Sequence, residues 1–361
     1  MWYHTFMKER TGTCFEVAWK EVRKQEKCRN HKPLKFWRDI IKYCVISIKW
    51  LKNKPAVDDA ESVAFFEERI RRECSGVPEK AMEAVLKDMR GEGKKSLSFN
   101  PGFVRFVDEQ KGIDSWPLFC WLTSSMSDKM LLAFGLYRDR VDNKLKIMPS
   151  EDPIWRYVLH DYMLEWVRMR TEIVIEKIVG EIERRKSNKK LEILSCAAGY
   201  LPEIMSLSPQ TRNKCKVTAF DENREAIKSV KKEILGGKRT TINYEFGRMD
   251  DGKFLGAKKQ YDIVEGLGIA SYFVKNTDDV TAFANKLLKN VKSGGLAIFD
   301  LQLKGKILPA DACMLRDALV FSWSGLNLIK RREAIKGITG TGLEVEVKQY
   351  GANVIFIIRK D

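Results

Sequence analysis

The chain has 361 residues, 44% of them hydrophobic, which is enough for two domains with substantial cores and too apolar for a disordered polymer. Lys and Arg number 65 against 49 Asp and Glu, a net charge of +16 that favours polyanionic partners over acid-seeking cations. With 3 His, 8 widely spaced Cys and no C-x-x-C, a zinc site has little to draw on, and no uninterrupted apolar run is long enough to span a membrane. The opening MWYHTFMKER lacks the apolar stretch of a secretory signal, so reduced thiols in a cytoplasmic protein are expected. Residues 1–50 hold 12 basic against 5 acidic residues, which fits either a surface for nucleic acid or acidic lipid, or a generally basic soluble chain. Residues 1–150 read as a mainly helical domain. Leu34 to Lys52 has helical period, with Lys35, Arg38, Lys42 and Lys49 near one stripe. It reads as a core helix with a solvated face rather than a membrane-surface helix, because its apolar arc is wide. Further helices are expected at Ala60–Arg72 and Pro78–Arg90, then a loop over 91–101 and one or two buried helices within 116–137. Asp152 as a cap and Pro153 beside it open a long connecting helix, within 151–187, that carries His160 and Tyr162.

From residue 188 the pattern changes to alternating strands and helices. Ile193 and Leu194 begin a buried strand that runs into Cys196, Ala197, Ala198 and Gly199, a turn with almost no side-chain bulk. Such a backbone can lie close against a ligand. Val217 to Phe220 give a second strand ending at Asp221, about 20 residues after the turn, where a carboxylate suits a pair of ribose hydroxyls. Ile242, Tyr244 and Phe246 alternate as a third strand, followed by Asp250 and Asp251. Tyr261 to Val264 form a fourth, leading into Glu265 and Gly266. A helix over Val280–Val291, a turn at Gly294-Gly295 and a fifth strand over Leu296–Phe299 follow. The spacing implies a parallel sheet covered on both faces. Leu343–Val347 and Val354–Ile358 then read as an antiparallel hairpin. G-x-G-x-x-G is absent after every expected strand, which speaks against a dinucleotide site.

Residues 185–361 resemble the class I S-adenosylmethionine-dependent methyltransferases. The resemblance rests on CAAGY at 196–200, FDENREAI at 220–227, GRMDD at 247–251, YDIVEGLGIASYF at 261–273, LLKNVKSGGLAIFD at 287–300 and RREAIKGITGTGLEVEV at 331–347. It implies an α/β fold: a Rossmann-like seven-stranded methyltransferase sheet over 188–361, mostly parallel, with one antiparallel strand near its edge. It also implies S-adenosylmethionine as cofactor, no metal, and a binding set of Ser195, Ala197, Gly199, Asp221, Asp250, Glu265 and Gly266. Within it Asp250 would serve the adenine amino group, and Glu265 and Gly266 the sulfonium end by their backbone. The family's first motif is degenerate here. Matching its three glycines to 195, 197 and 199 leaves only Gly199 in place and puts Ile193 where the family carries a first-strand carboxylate, six residues before the last glycine.

Methyl transfer from a sulfonium is an in-line displacement in which the protein positions and desolvates. A neutral acceptor also needs a base within reach, and His160, Tyr162 and Tyr272 are the weak candidates. The N-P-P-Y or D-P-P-Y sequence that marks amino-group methylation in the family is missing after the fourth strand. Three readings follow: a small-molecule methyltransferase whose N-terminal helices cover the acceptor, an RNA methyltransferase that uses the basic half, and a non-catalytic protein that keeps the fold.

Overall fold

The computed structural model describes residues 60–73, 130–139, 144–148, 162–185, 189–231, 242–247, 260–303, 329–339, 343–350 and 353–361, with isolated positions 18, 20, 24, 83 and 109. The expected helices at 34–52 and 78–90, the loop at 91–101 and the Asp152-Pro153 cap lie outside them, apart from Glu83. The chain divides into two compact units, Met1–Glu165 with Leu308–Ser322, and Trp166–Ile307 with Trp323–Asp361.

In the first unit, helix α1 spans Ala60–Glu73, as its sequence implied, and ends on Arg71 and Arg72. Basic side chains there complement the negative end of the helix dipole. The stretch expected to be helical up to residue 137 is different. A 3₁₀ turn at Leu131–Phe134 stops at Gly135, whose φ of 69° is left-handed. The chain then enters strand β1 (Leu136–Arg138), which pairs antiparallel with β2 (Leu145–Ile147). Gly135 takes this conformation without the Cβ penalty and turns a helical start into a hairpin.

In the second unit, helix α2 (Tyr162–Arg185) buries Trp166, Val167, Ile173, Val174 and Ile178 along one stripe. Seven strands follow: β3 (Leu191–Cys196), β4 (Cys215–Asp221), β5 (Ile242–Phe246), β6 (Tyr261–Gly266), β7 (Val291–Gln302), β8 (Val345–Tyr350) and β9 (Asn353–Arg359). Their order is β5-β4-β3-β6-β7-β9-β8. The first five strands in chain order are mutually parallel, and β9 runs antiparallel to both its neighbours. This is the sheet that the resemblance implied. Among the described residues the unit also holds helices α3 (Pro202–Met205), α4 (Pro209–Asn213), α5 (Arg224–Ser229), α6 (Ala270–Phe273), α7 (Thr277–Leu288) and α8 (Arg331–Thr339).

The core on one face joins Leu194, Val264, Phe299 and Phe356 of the sheet to Val280, Phe283 and Leu287 of α7 and Ile338 of α8. The ring of Phe299 lies 5.2 Å from Phe283 and 5.3 Å from Phe356. Each such buried side chain contributes about 1.5–3 kcal/mol.

Two boundaries move from the sequence reading. Helix α7 ends at Leu288, and β7 starts at Val291, so Gly294 and Gly295 lie inside the strand. The β6–β7 register jumps there, since Tyr261 pairs with Val291 but Ile263 pairs with Leu296. Gly294 is left-handed at φ +73°, and a Cβ on Gly295 would stand 2.7 Å from the Asp262 carbonyl oxygen. The glycines mark a bulge pressed against a neighbouring strand rather than a turn between elements.

Candidate functional site

Chain direction fixes where a ligand can sit. From β3 the chain steps outward to β4 and β5, then returns to the other flank of β3 with β6. The β3/β6 boundary is therefore the topological switch point, and in open α/β sheets the crevice outside the carboxyl ends of those strands is the ligand site. The turns that line it are 197–201, after β3, and 266–269, after β6.

The first turn is held in an unusual conformation. Ala197, Gly199 and Leu201 have φ of 54°, 52° and 53°. A left-handed residue other than glycine costs roughly 1–2 kcal/mol, so Ala197 and Leu201 are kept there by their surroundings. The Ala198 N–H donates to the Phe220 carbonyl at 3.1 Å, and the Leu201 N–H to the Ala198 carbonyl at 2.8 Å. The Gly199 N–H donates to Asp221 Oδ2 at 2.9 Å, while the Tyr244 hydroxyl donates to the Gly199 carbonyl. Ser195, by contrast, is an extended strand residue paired with Ala219. The three left-handed positions fall at 197, 199 and 201. Sequence could not pick them out, because residues 195–198 are all small and the third left-handed residue is a leucine.

Asp221 ends β4 beside this turn. Its Oδ1 accepts from the Asn223 N–H at 2.7 Å, so each oxygen holds one backbone donor. Burial pushes its carboxyl above the ordinary range, against the pull of the Asn223 and Gly199 bonds. A carboxylate has about four lone-pair sites, so acceptor capacity remains for a hydroxyl pair.

On the other side of Ser195 stands Glu265, its partner in the β3–β6 register. Glu265 is 1% exposed, and neither carboxyl oxygen has a hydrogen-bond partner of good geometry. Its neighbour is the equally buried Glu203 of α3. Burial, then the charge of Glu203, push Glu265 well above the usual carboxylate range, and burial raises Glu203 as well. Arg170 of α2 faces both carboxyls. It also stacks 4.7 Å from the Trp166 ring and pairs with Asp300 at 3.1 Å. Asp300 in turn accepts from the Gly268 N–H at 2.6 Å, which ties the end of β7 to the turn after β6. Glu203, Arg170, Tyr244 and Asp300 were not singled out by sequence. A buried Glu203 in the first turn of a four-residue helix leaves no periodic signal.

The rim of this edge is aromatic. Phe246 is 50% exposed, Tyr272 39% and Phe273 43%, and they follow β5 and β6 at their carboxyl ends. The Arg224 guanidinium lies 4.4 Å from the centre of the Phe246 ring. Burial, then the charge of Glu222, raise the Tyr272 phenol above its ordinary value. Tyr162 is the first residue of α2. His160 and Asp250 lie outside the described residues. Among the described residues no three His, Cys, Asp or Glu side chains are grouped to hold a metal, and no helix is long and apolar enough to cross a membrane.

No family model matches the chain, and no curated protein does. Solved structures do. A possible exported protein from Bordetella parapertussis is 14% identical over 86% of this chain and 98% of its own, with a TM-score of 0.48. An O-methyltransferase family protein from Burkholderia thailandensis is 13% identical over 56% of this chain and 61% of its own, with a TM-score of 0.38. An S-adenosylmethionine-dependent methyltransferase from Clostridium acetobutylicum is 14% identical over 53% of this chain and 90% of its own, with a TM-score of 0.36.

Proposed function

We propose that the chain is an S-adenosylmethionine-dependent methyltransferase acting on a small-molecule acceptor. The observation that carries this reading is the left-handed 197–201 turn bonded to Asp221 at the switch point. A turn of such small residues can bring backbone close to a ligand, and an acid bonded to it suits a ribose diol, which supports the reading. The cofactor supplies a methyl group already activated on a sulfonium, so the chain's tasks are binding, orientation and exclusion of water.

Ser195, Ala197 and Gly199 line the methionine and ribose side in this reading, and Asp221 accepts from the ribose hydroxyls. Asp250 serves the adenine amino group, and the exposed Phe246 offers the base a flat face. Glu265 and Gly266 contact the sulfonium end by their backbone. Tyr272 forms a wall of the acceptor side, with His160 and Tyr162 as further candidates there. The domains follow the same logic: 1–150 covers the acceptor, 151–187 connects, and 188–361 carries the cofactor. A cytoplasmic setting suits the buried free thiols of Cys196 and Cys215.

Calorimetry with adenosylmethionine and adenosylhomocysteine tests this. Asp221→Ala removes a charged acceptor and should weaken binding by roughly 2–4 kcal/mol. Unchanged affinity would remove Asp221 from the site. Salt-sensitive co-purification of nucleic acid would move the acceptor from a small molecule to RNA. A second, non-catalytic reading is favoured by one feature, the side chains of Ala197 and Leu201 at left-handed positions. Failure to bind either nucleoside would establish it.

A further inference from the structure

Glu265 and Glu203 form a buried acid pair that nothing in the fold requires. Glu265 is 1% and Glu203 2% exposed, in a unit whose other strongly buried acids are tied to cations or backbone donors. Asp300 holds Arg170 and Gly268, Asp262 holds Arg185, Lys292 and the Glu192 N–H, and Glu181 holds Arg184 and Arg359. Glu265 has no such partner for either oxygen. A carboxyl buried near the end of a strand with only a second carboxyl and the Ser195 hydroxyl beside it, and no bonded cation or backbone donor, is costly, and it persists where a ligand completes it. Its position is specific. Ser195 and Glu265 are paired across β3 and β6, so their side chains lie on one face, next to the left-handed turn.

We propose that Glu265, backed by Glu203, is the receptor for the ammonium group at the amino-acid end of the bound nucleoside. The proposal rests on the adenosylmethionine reading above and adds to it the residue that distinguishes an amino-acid-bearing nucleoside from a plain one. The groups facing the pair are Ser195 from β3, Arg170 from α2 and the Cys196 thiol, and Tyr244 from β5 feels the charge of Glu203. Of these only Arg170 is cationic, and it is already engaged by Asp300. Two buried carboxyls side by side share a proton when the site is empty. An arriving ammonium stabilises both as carboxylates, so the shared proton leaves to solvent as the ligand binds.

Two ligands and two variants test this on the full chain. Adenosylhomocysteine carries the ammonium, and 5′-methylthioadenosine lacks the whole amino-acid arm. Calorimetry in buffers of different ionisation enthalpy reads affinity and proton release together. Wild type should release about one proton with adenosylhomocysteine and none with methylthioadenosine. Glu265→Gln should weaken adenosylhomocysteine about ten- to thirty-fold, the loss of one charge-assisted bond, and abolish proton release. The affinity of this variant for methylthioadenosine should change by less than about twofold, because that ligand has no ammonium to lose. Glu203→Gln should lower proton release with a smaller loss of affinity. If both ligands bind and Glu265→Gln weakens them equally, or not at all, the ammonium assignment is wrong and the methyltransferase reading stands. If neither binds wild type, both fall. Should the variants fail to fold, equal proton release with the two ligands in wild type overturns the assignment.

Discussion

Two glycine-to-alanine substitutions in helices should have opposite signs, and the difference follows from the structure alone. Gly180 lies within α2, and nothing stands within 4 Å of where its Cβ would be. Alanine there should stabilise the protein by about 0.5–1 kcal/mol, because it restricts the unfolded chain and favours the helix. Gly337 lies within α8, where the same gain in helix propensity applies. Its Cβ would be 2.5 Å from the Thr277 carbonyl oxygen and 2.7 Å from Val280 Cβ, both on α7. The two helices are also joined there by the Thr281 hydroxyl, which donates to the Gly337 carbonyl at 2.6 Å. Neither contact atom is the end of a flexible side chain, so the helices must part. Overpacking of this kind costs roughly 1–3 kcal/mol or more, which outweighs the gain of about 1 kcal/mol from propensity. Gly337→Ala should therefore be destabilised by up to about 2 kcal/mol, the difference of those two effects. Urea unfolding followed by far-UV circular dichroism gives both values from the shift in midpoint at constant slope. A Gly337→Ala protein as stable as wild type would show that α7 and α8 do not meet at the backbone. A destabilised Gly180→Ala would show that the α2 face is packed there.

Three further outcomes are expected. Burial pushes Asp262 upward, but bonds from the Glu192 N–H, Lys292 and Arg185 pull it further down, below its ordinary value. Its stabilisation is thus complete above the ordinary Asp range and lost as pH falls through the lowered value, so Asp262→Asn should cost about 2–3 kcal/mol at neutral pH with a gap that closes in acid; a gap independent of pH would contradict this. Tyr244→Phe should cost about 1–2 kcal/mol in urea unfolding, since it strands the half-buried Gly199 carbonyl, and an unchanged midpoint would show that the hydroxyl does not hold the turn. Burial raises the Cys215 thiol to about 11 and Cys196 higher still, so neither should be labelled by maleimide in native protein at mildly alkaline pH, and peptide mapping that finds Cys196 modified before unfolding would refute its burial.

Much of this unit is readable in the residues one by one. Period-two runs such as Ile242, Tyr244 and Phe246, and the continuous apolar runs of parallel strands, locate β3 to β7 and the β8–β9 hairpin, because burial on two faces demands that composition. Asp221 is legible as well, as the acid that ends the second strand after a small-residue turn. What only the tertiary structure decided is phase and partnership. Gly294 and Gly295 are a turn by composition, yet a neighbouring strand makes them a bulge. Residues 195–201 give no sign of which three are left-handed, since that depends on bonds from Phe220, Asp221 and Tyr244, which are distant in sequence. Glu203 and Glu265 lie 62 positions apart and are each unremarkable as letters. Only the pairing of β3 with β6 and the return of α3 over that face bring them together. Local sequence sets which backbone states are cheap, whereas the meeting of two carboxyls out of water is decided by chain topology.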